Sequence, residues 1–199
     1  FRVDIAPFVA YGCEIVVAVR LNTEQLGSRW YPGAGIYRHV RLVSTERVHV
    51  DHWGVFVRTP QVNAEEASAL VRVDIENHLL KAVKGTFSVE ILETDANDRI
   101  GRKVVSLRGK ELQLNAGAKV TDSLLLRVKR PVLWSVEHPA RYVARVKVFA
   151  DGKETDCYDQ PFDFRTIQFS HDEGFLLNGK KMKIQGTCNH HDLGALGTA

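Results

Sequence analysis

Ala69-Leu70-Val71-Arg72-Val73-Asp74-Ile75-Glu76 is the stretch on which the reading of the fold turns. Ala69, Val71, Val73 and Ile75 fall on one side, and Arg72, Asp74 and Glu76 on the other. A period of two gives one apolar and one wet face only in an extended strand; a helix would scatter the same residues around its girth. The pattern recurs at Phe87, Val89 and Ile91 against Thr86, Ser88 and Glu90, and at Leu124, Leu126 and Val128 against Arg127 and Lys129. It recurs again at Tyr142, Ala144, Val146 and Val148 against Val143, Arg145 and Lys147. Alternation of this kind fits antiparallel sheets covered on one side.

Turn signals separate these runs: Asn97-Asp98, Gly101, Arg108-Gly109, Asn115-Ala116-Gly117 and Asp151-Gly152. Asp-Gly between two strand-like runs predicts a type I′ hairpin, because both central residues need positive φ. Seven candidate strands fall between about Val48 and Ile167. That density of short strands and turns predicts an all-β, immunoglobulin-like antiparallel sandwich. No amphipathic helix is evident; Asn63 to Leu70 reads as a loop or a single helical turn. Trp53, near Phe56, reads as core of the first strand, and Trp134, with Pro131, Leu133 and Pro139, as a loop anchored by a buried indole.

The flanks read differently. Residues 1–47 hold two strand-like runs, Ile15 to Leu21 and Ile36 to Val43, around Gly27-Ser28-Arg29-Trp30-Tyr31-Pro32-Gly33-Ala34-Gly35. Two strands and a long loop bury no core by themselves. Residues 168–199 hold a hairpin-like run, Phe175 to Ile184, with Asn178-Gly179 at its turn, and then Gln185-Gly186-Thr187-Cys188-Asn189-His190-His191-Asp192. The expected organisation is therefore one complete sandwich, residues 48–167, with pieces of two neighbouring domains attached at 1–47 and 168–199. Strands without partners in 1–47 would pair with a second copy of the chain or stay mobile, so a strand-mediated homodimer is one expectation.

Composition narrows the function. The chain has 199 residues, 44% of them hydrophobic and 26% charged, with a net charge of +3. This is ordinary globular composition. Basic residues are scattered among acidic ones, which leaves no electrostatic footprint for nucleic acid. No apolar run approaches the ~20 residues of a membrane span. Cys13, Cys157 and Cys188 are an odd number with no zinc-ligand spacing, and no metal or other cofactor is expected. The chain opens Phe1-Arg2-Val3-Asp4, without a basic-then-apolar leader. Ser/His/Asp arrangements, P-loops and dinucleotide fingerprints are absent.

Four segments, in order along the chain, resemble family 2 glycoside hydrolases, and within them the β-galactosidases. Arg29-Trp30-Tyr31-Pro32-Gly33-Ala34-Gly35-Ile36-Tyr37-Arg38 resembles the close of the family's N-terminal jelly roll; Asp4-Ile5-Ala6-Pro7-Phe8 and Val17-Ala18-Val19-Arg20 resemble strands just before it. Leu133-Trp134-Ser135 with Glu137-His138-Pro139 resembles the "LWSPEHP" loop of the immunoglobulin-like domain. Leu177-Asn178-Gly179-Lys180 and Gly186 to Gly197 resemble the opening of the catalytic (β/α)8 barrel. The resemblance implies a parent that is a retaining exo-glycosidase, periplasmic or secreted, whose partner is a carbohydrate. Retaining enzymes use two carboxyl groups ~5–5.5 Å apart. In this family both are glutamates further along the barrel than Ala199. The carboxylates of the barrel piece are Asp172, Glu173 and Asp192, none in the Asn-Glu dipeptide that the family uses. The chain as given is expected to be non-catalytic.

By the same resemblance His190 contacts sugar hydroxyls in the intact enzyme, since barrel strands present their C-terminal ends to the active site. His191 and Asp192 are second choices, with His191 expected to face away from His190. Asn22 departs from the family's "VRVDN", in which an Asp reaches the sugar; Asn keeps a carbonyl acceptor and loses the charge. Trp30 and Tyr31 read as domain-interface packing or as a sugar-stacking platform, and Arg29 and Arg38 as structural ion pairs or a carboxylate clamp. Lys180, Lys181 and Lys183 read as a charged hairpin edge. Two other readings remain open: a free-standing carbohydrate-binding or immunoglobulin-like interaction module, and a β-glucuronidase-type parent.

Overall fold

The computed structural model describes residues 2–10, 12–22, 35–36 and 39–187. In chain order the strands are β1 (Val48–Val62), β2 (Glu66–Asn77), β3 (Val83–Thr94), β4 (Ile100–Arg108), β5 (Leu112–Leu114), β6 (Lys119–Lys129), β7 (Tyr142–Ala150), β8 (Lys153–Phe162), β9 (Ile167–Ser170), β10 (Gly174–Leu177) and β11 (Lys180–Lys181). A single 3-10 turn, Ala6–Phe8, precedes them. Every pairing is antiparallel. One sheet runs β1-β2-β6; the second runs β4-β3-β7-β8, with β5 on β3; a third, small sheet runs β11-β10-β9. The fold is an all-β, immunoglobulin-like sandwich, as the alternation predicts. Eight strands rather than seven lie between Val48 and Phe162, because the three-residue β5 is too short to show a period.

The inward rows are those of the alternating segments. Ala67, Ala69, Val71, Val73 and Ile75 of β2 join Leu126 and Val128 of β6 in one core cluster with Phe87, Val89 and Ile91 of β3 and Ala144, Val146 and Val148 of β7, all at 2% exposure or less. Each buried Val, Leu, Ile or Phe contributes ~1.5–3 kcal/mol. The outward residues form cross-strand pairs, among them Arg145 with both oxygens of Asp159 at 2.8 Å and Arg127 with Glu66 at 2.7 Å.

The turns follow their residues. Asp151 and Gly152 take φ of 48° and 82° between the paired Ala150 and Lys153, a type I′ turn. Asn178 and Gly179 do the same, at 51° and 72°, between Leu177 and Lys180. Asn63 to Leu70 is a loop only as far as Glu65, and holds no helical turn. The Asn63 side-chain oxygen accepts from the backbone N–H groups of Glu65 and Glu66, closing the β1–β2 hairpin, and β2 has begun by Glu66.

Two expectations fail. Trp53 and Phe56 are not first-strand core: Trp53 is 80% exposed and Phe56 52%. Val50 faces Ile75 and Val55 faces Val73, so five steps of β1 answer two of β2 and the surplus bulges outward. Trp53 sits in the bulge with φ of 56°, stacked on His52 at 4.8 Å. The strand-like runs Ile15 to Leu21 and Ile36 to Val43 form no strand among the described residues, where no ladder partner stands beside them. Alternation supplies a face for a strand but not its hydrogen bonds.

The chain divides into two compact units, Val43–Gly186 and Phe1–Leu42 with Thr187–Ala199. All eleven strands belong to the first, the β9–β11 sheet included. In the second, Asp4 accepts a hydrogen bond from the Ala6 N–H at the 3-10 turn.

Gly54 makes the bulge possible. A Cβ there would stand 2.7 Å from the Asp51 carbonyl oxygen and 2.9 Å from that of Asp74, both backbone atoms that cannot swing aside. Gly54→Ala is expected to cost ~1–3 kcal/mol, read as a lower midpoint in urea. An unchanged midpoint would mean that the bulge is not under this constraint.

Candidate functional site

The connection from β6 to β7 carries a dense set of polar contacts. It leaves the sandwich at Arg130, which takes φ of 47°, and returns at Tyr142. Tyr142 is 2% exposed, and its hydroxyl accepts the Val132 N–H at 2.9 Å. Tyrosine at the start of this strand, bonded to backbone upstream, is a recurring lock of immunoglobulin-like folds. Burial pushes the Tyr142 phenol above its ordinary pKa, so it stays a neutral hydroxyl. Its ring packs edge-on against the fully buried Phe164 at 5.0 Å, and Phe164 packs against Phe162 at 5.1 Å.

Trp134 anchors the middle of this loop. Its N–H donates to the Phe164 carbonyl and its own carbonyl accepts from Asn178 Nδ2, both at 2.9 Å. The other end of the Asn178 amide accepts the Thr166 N–H at 2.9 Å, and the Asn178 N–H donates to the Thr166 carbonyl at 3.0 Å. The Arg165 guanidinium lies 4.5 Å over the indole and pairs with Asp163 at 3.0 Å. Burial raises the Asp163 carboxyl above its usual range, with Arg165 and Arg141 opposing. The loop is anchored at Trp134 as expected, but not by a buried indole: Trp134 is only half-buried, and the anchor is its backbone together with a cation above the ring. Through Asn178 the same loop grips the β10–β11 turn.

Among the described residues, the remaining candidates form no reactive centre. Asn22 is exposed and lies outside any strand. His190, His191 and Asp192 lie outside the described residues, as do Arg29, Trp30, Tyr31, Arg38 and Cys188. Asp172 and Glu173 are exposed in the turn between β9 and β10, where Asp172 meets only the exposed His171, at 2.9 Å. Cys157 is held protonated by partial burial and the nearby Asp159, which disfavours a nucleophilic thiolate. Lys180 and Lys181 are exposed on the edge strand β11, as expected. A basic groove lined by Arg102, Arg127, Lys129 and Arg130 crosses from β4 to β6, but Glu93 and Glu66 neutralise its two arginines from the strands.

One group has the chemistry of metal ligands: His49 on β1, with Glu76 and His78 at the end of β2. No local motif marks it, because His49 is distant in sequence from the other two. The signal available was Glu76-Asn77-His78, two ligand types at i and i+2; the third arrives only through the register.

Known proteins resemble this chain throughout. The family model described as Glycosyl hydrolases family 2 matches residues 48–165. β-Galactosidase BoGH2A of Bacteroides ovatus is 36% identical, over 100% of this chain and 23% of its own length. A β-glucuronidase of Bacteroides fragilis is 32% identical, over 100% of the chain and 29% of its own length. A solved family 2 glycosyl hydrolase from Bacteroides cellulosilyticus matches with a TM-score of 0.68 and 32% identity, over 77% of this chain and 20% of that one. The chain thus spans less than a third of the length of these relatives.

The Asn178 bonds make the loop testable. Asn178→Asp keeps the acceptor for Thr166 but replaces the donor to Trp134 with a carboxylate facing a carbonyl. It is expected to lower stability by ~1–3 kcal/mol in thermal unfolding and to open the 131–140 loop to proteolysis. Wild-type resistance at both readouts would show that the amide does not hold the loop.

Proposed function

Since this chain belongs to glycosyl hydrolase family 2, we propose that it is the non-catalytic scaffold of a larger retaining glycosidase, a β-galactosidase that acts in carbohydrate metabolism. The observation that carries this is the alignment of all 199 residues with under a quarter of β-galactosidase BoGH2A. In this reading residues 1–47 close a sugar-binding jelly roll, 48–167 are the spacer sandwich and 168–199 open the catalytic barrel. The described residues support the scaffold role by what they offer: ion-paired outer faces and a locked loop. His190, His191 and Asn22 would meet sugar hydroxyls only in the intact enzyme.

A free-standing carbohydrate-binding module is the less favoured reading. Such a module needs an exposed aromatic platform, and on the outer face of the β1-β2-β6 sheet the aromatic Phe56 carries the Arg72 guanidinium over its ring, at 5.7 Å. A β-glucuronidase parent is favoured by the Bacteroides fragilis relative.

Incubated with p-nitrophenyl β-galactoside and p-nitrophenyl β-glucuronide, the 199-residue chain is expected to release nitrophenol at the rate of the blank. Turnover of either substrate would overturn the scaffold reading. Saturable heat on titration with galactose or lactose would favour the binding module. The two glycosides, given to the intact enzyme, decide between the galactosidase and glucuronidase parents.

A further inference from the structure

His49 and Glu76 stand opposite each other in the β1–β2 ladder, next to the pair Val48 and Asn77. His78 follows two residues after Glu76, and its backbone N–H donates to the Arg47 carbonyl at 2.7 Å. The strand register therefore brings three side chains with metal-ligating atoms to the point where the chain enters the sandwich. Their ligand atoms all lie within 4.8 Å of one another. Glu76 Oε2 is 4.0 Å from His49 Nε2 and 2.9 Å from His78 Nε2.

The His49 ring carries the argument. It is 6% exposed. Its Nδ1 lies 2.8 Å from the Glu46 carbonyl oxygen, a contact that requires the proton on Nδ1. The neutral ring then turns a bare lone pair on Nε2 toward Glu76 and His78, and this atom has no hydrogen-bond partner. Protonating Nε2 does not satisfy it either, since 4.0 Å to the carboxylate is too long for a hydrogen bond. Buried polar atoms without partners are rare and costly. A histidine oriented through Nδ1–H to a backbone carbonyl, with Nε2 free, is how proteins prepare an imidazole for a metal. Lys119, opposite Glu76 in the β2–β6 ladder, is engaged by Asp51 at 2.5 Å and Asp74 at 3.7 Å.

We propose that His49, Glu76 and His78 bind one divalent transition-metal ion of the zinc type, completed by water. Two imidazole nitrogens and a carboxylate oxygen suit a borderline ion and not calcium or magnesium, which take oxygen ligands. Zinc–ligand lengths of ~2.0–2.2 Å put tetrahedral ligand atoms ~3.3 Å apart. His49 and Glu76 close to that spacing with a small approach. The exposed His78, now stacked on His49 at 5.2 Å between ring centroids, turns its Nε2 toward the shared point. The ion clips the start of β1 to the end of β2 and supplies the partner that His49 lacks.

The chain, stripped with EDTA, is titrated with zinc chloride by calorimetry and melted with and without the metal. One zinc per chain with a Kd at or below micromolar, and a higher melting temperature, is the expected result. His78→Ala, at an exposed position, should leave the metal-free melt unchanged and weaken binding at least tenfold; Glu76→Gln should weaken it in the same direction. Long-range 1H–15N spectra should show the Nε2 resonances of His49 and His78 shifting together on zinc addition. No saturable binding up to millimolar zinc, or binding that His78→Ala leaves unchanged, overturns the proposal.

Discussion

The structure depends on two apolar rows that meet between sheets. β2 contributes Ala67, Ala69, Val71, Val73 and Ile75; β3 and β7 contribute Phe87, Val89, Ile91, Ala144, Val146 and Val148, and all are sealed from water. Residues of both sheets meet in one core cluster, in two layers spaced by the ~10 Å that sandwiches adopt. Gly85 shows how tight the packing is at the rim: a Cβ there would stand 2.4 Å from Leu114 Cδ1. Because a one-residue slip would turn a whole row outward, this burial also sets the register of the β2–β6 and β3–β7 ladders, which run without a shift. The positions of the outer-face ion pairs, the turns and the metal-ligating cluster follow from that register.

The central strands were legible because they are buried on one face only, so hydrophobicity reports their period directly. Asp151-Gly152 and Asn178-Gly179 were legible because the type I′ turn needs two positive φ values that few residues accept. Trp53 was misread for a physical reason. Its apolarity predicts burial, but a bulge depends on backbone room at Gly54 and on the partner strand, neither of which a period of two contains. Ile15 to Leu21 misled in the opposite direction: an alternating face is present, and a ladder partner, which local sequence does not specify, is not found among the described residues.

The candidate site was legible to different depths. The Leu133 to Pro139 loop stood out through its residues, yet the bond that explains its shape runs from Trp134 to Asn178, forty-four positions away. His49 lies as far outside any local motif. Only pairing His49 with Glu76 brings it beside His78, and pairing is a property of the folded sheet. The sugar-contact residues suggested by resemblance, His190 and His191, lie outside the described residues.

In the proposed scaffold role the sandwich works by holding an orientation, and that depends most on where the chain enters and leaves it. In the sandwich these two places carry the densest polar geometry. His49, Glu76 and His78 gather where β1 begins, while Tyr142, Trp134, Phe164 and Asn178 tie the loop before β7 to the strands that follow β8. The apolar core makes the two sheets one body, but it is non-directional and cannot fix the angle of an arriving or departing strand. Hydrogen bonds and metal–ligand bonds are directional. Their presence at both crossing points suits the proposed scaffold role.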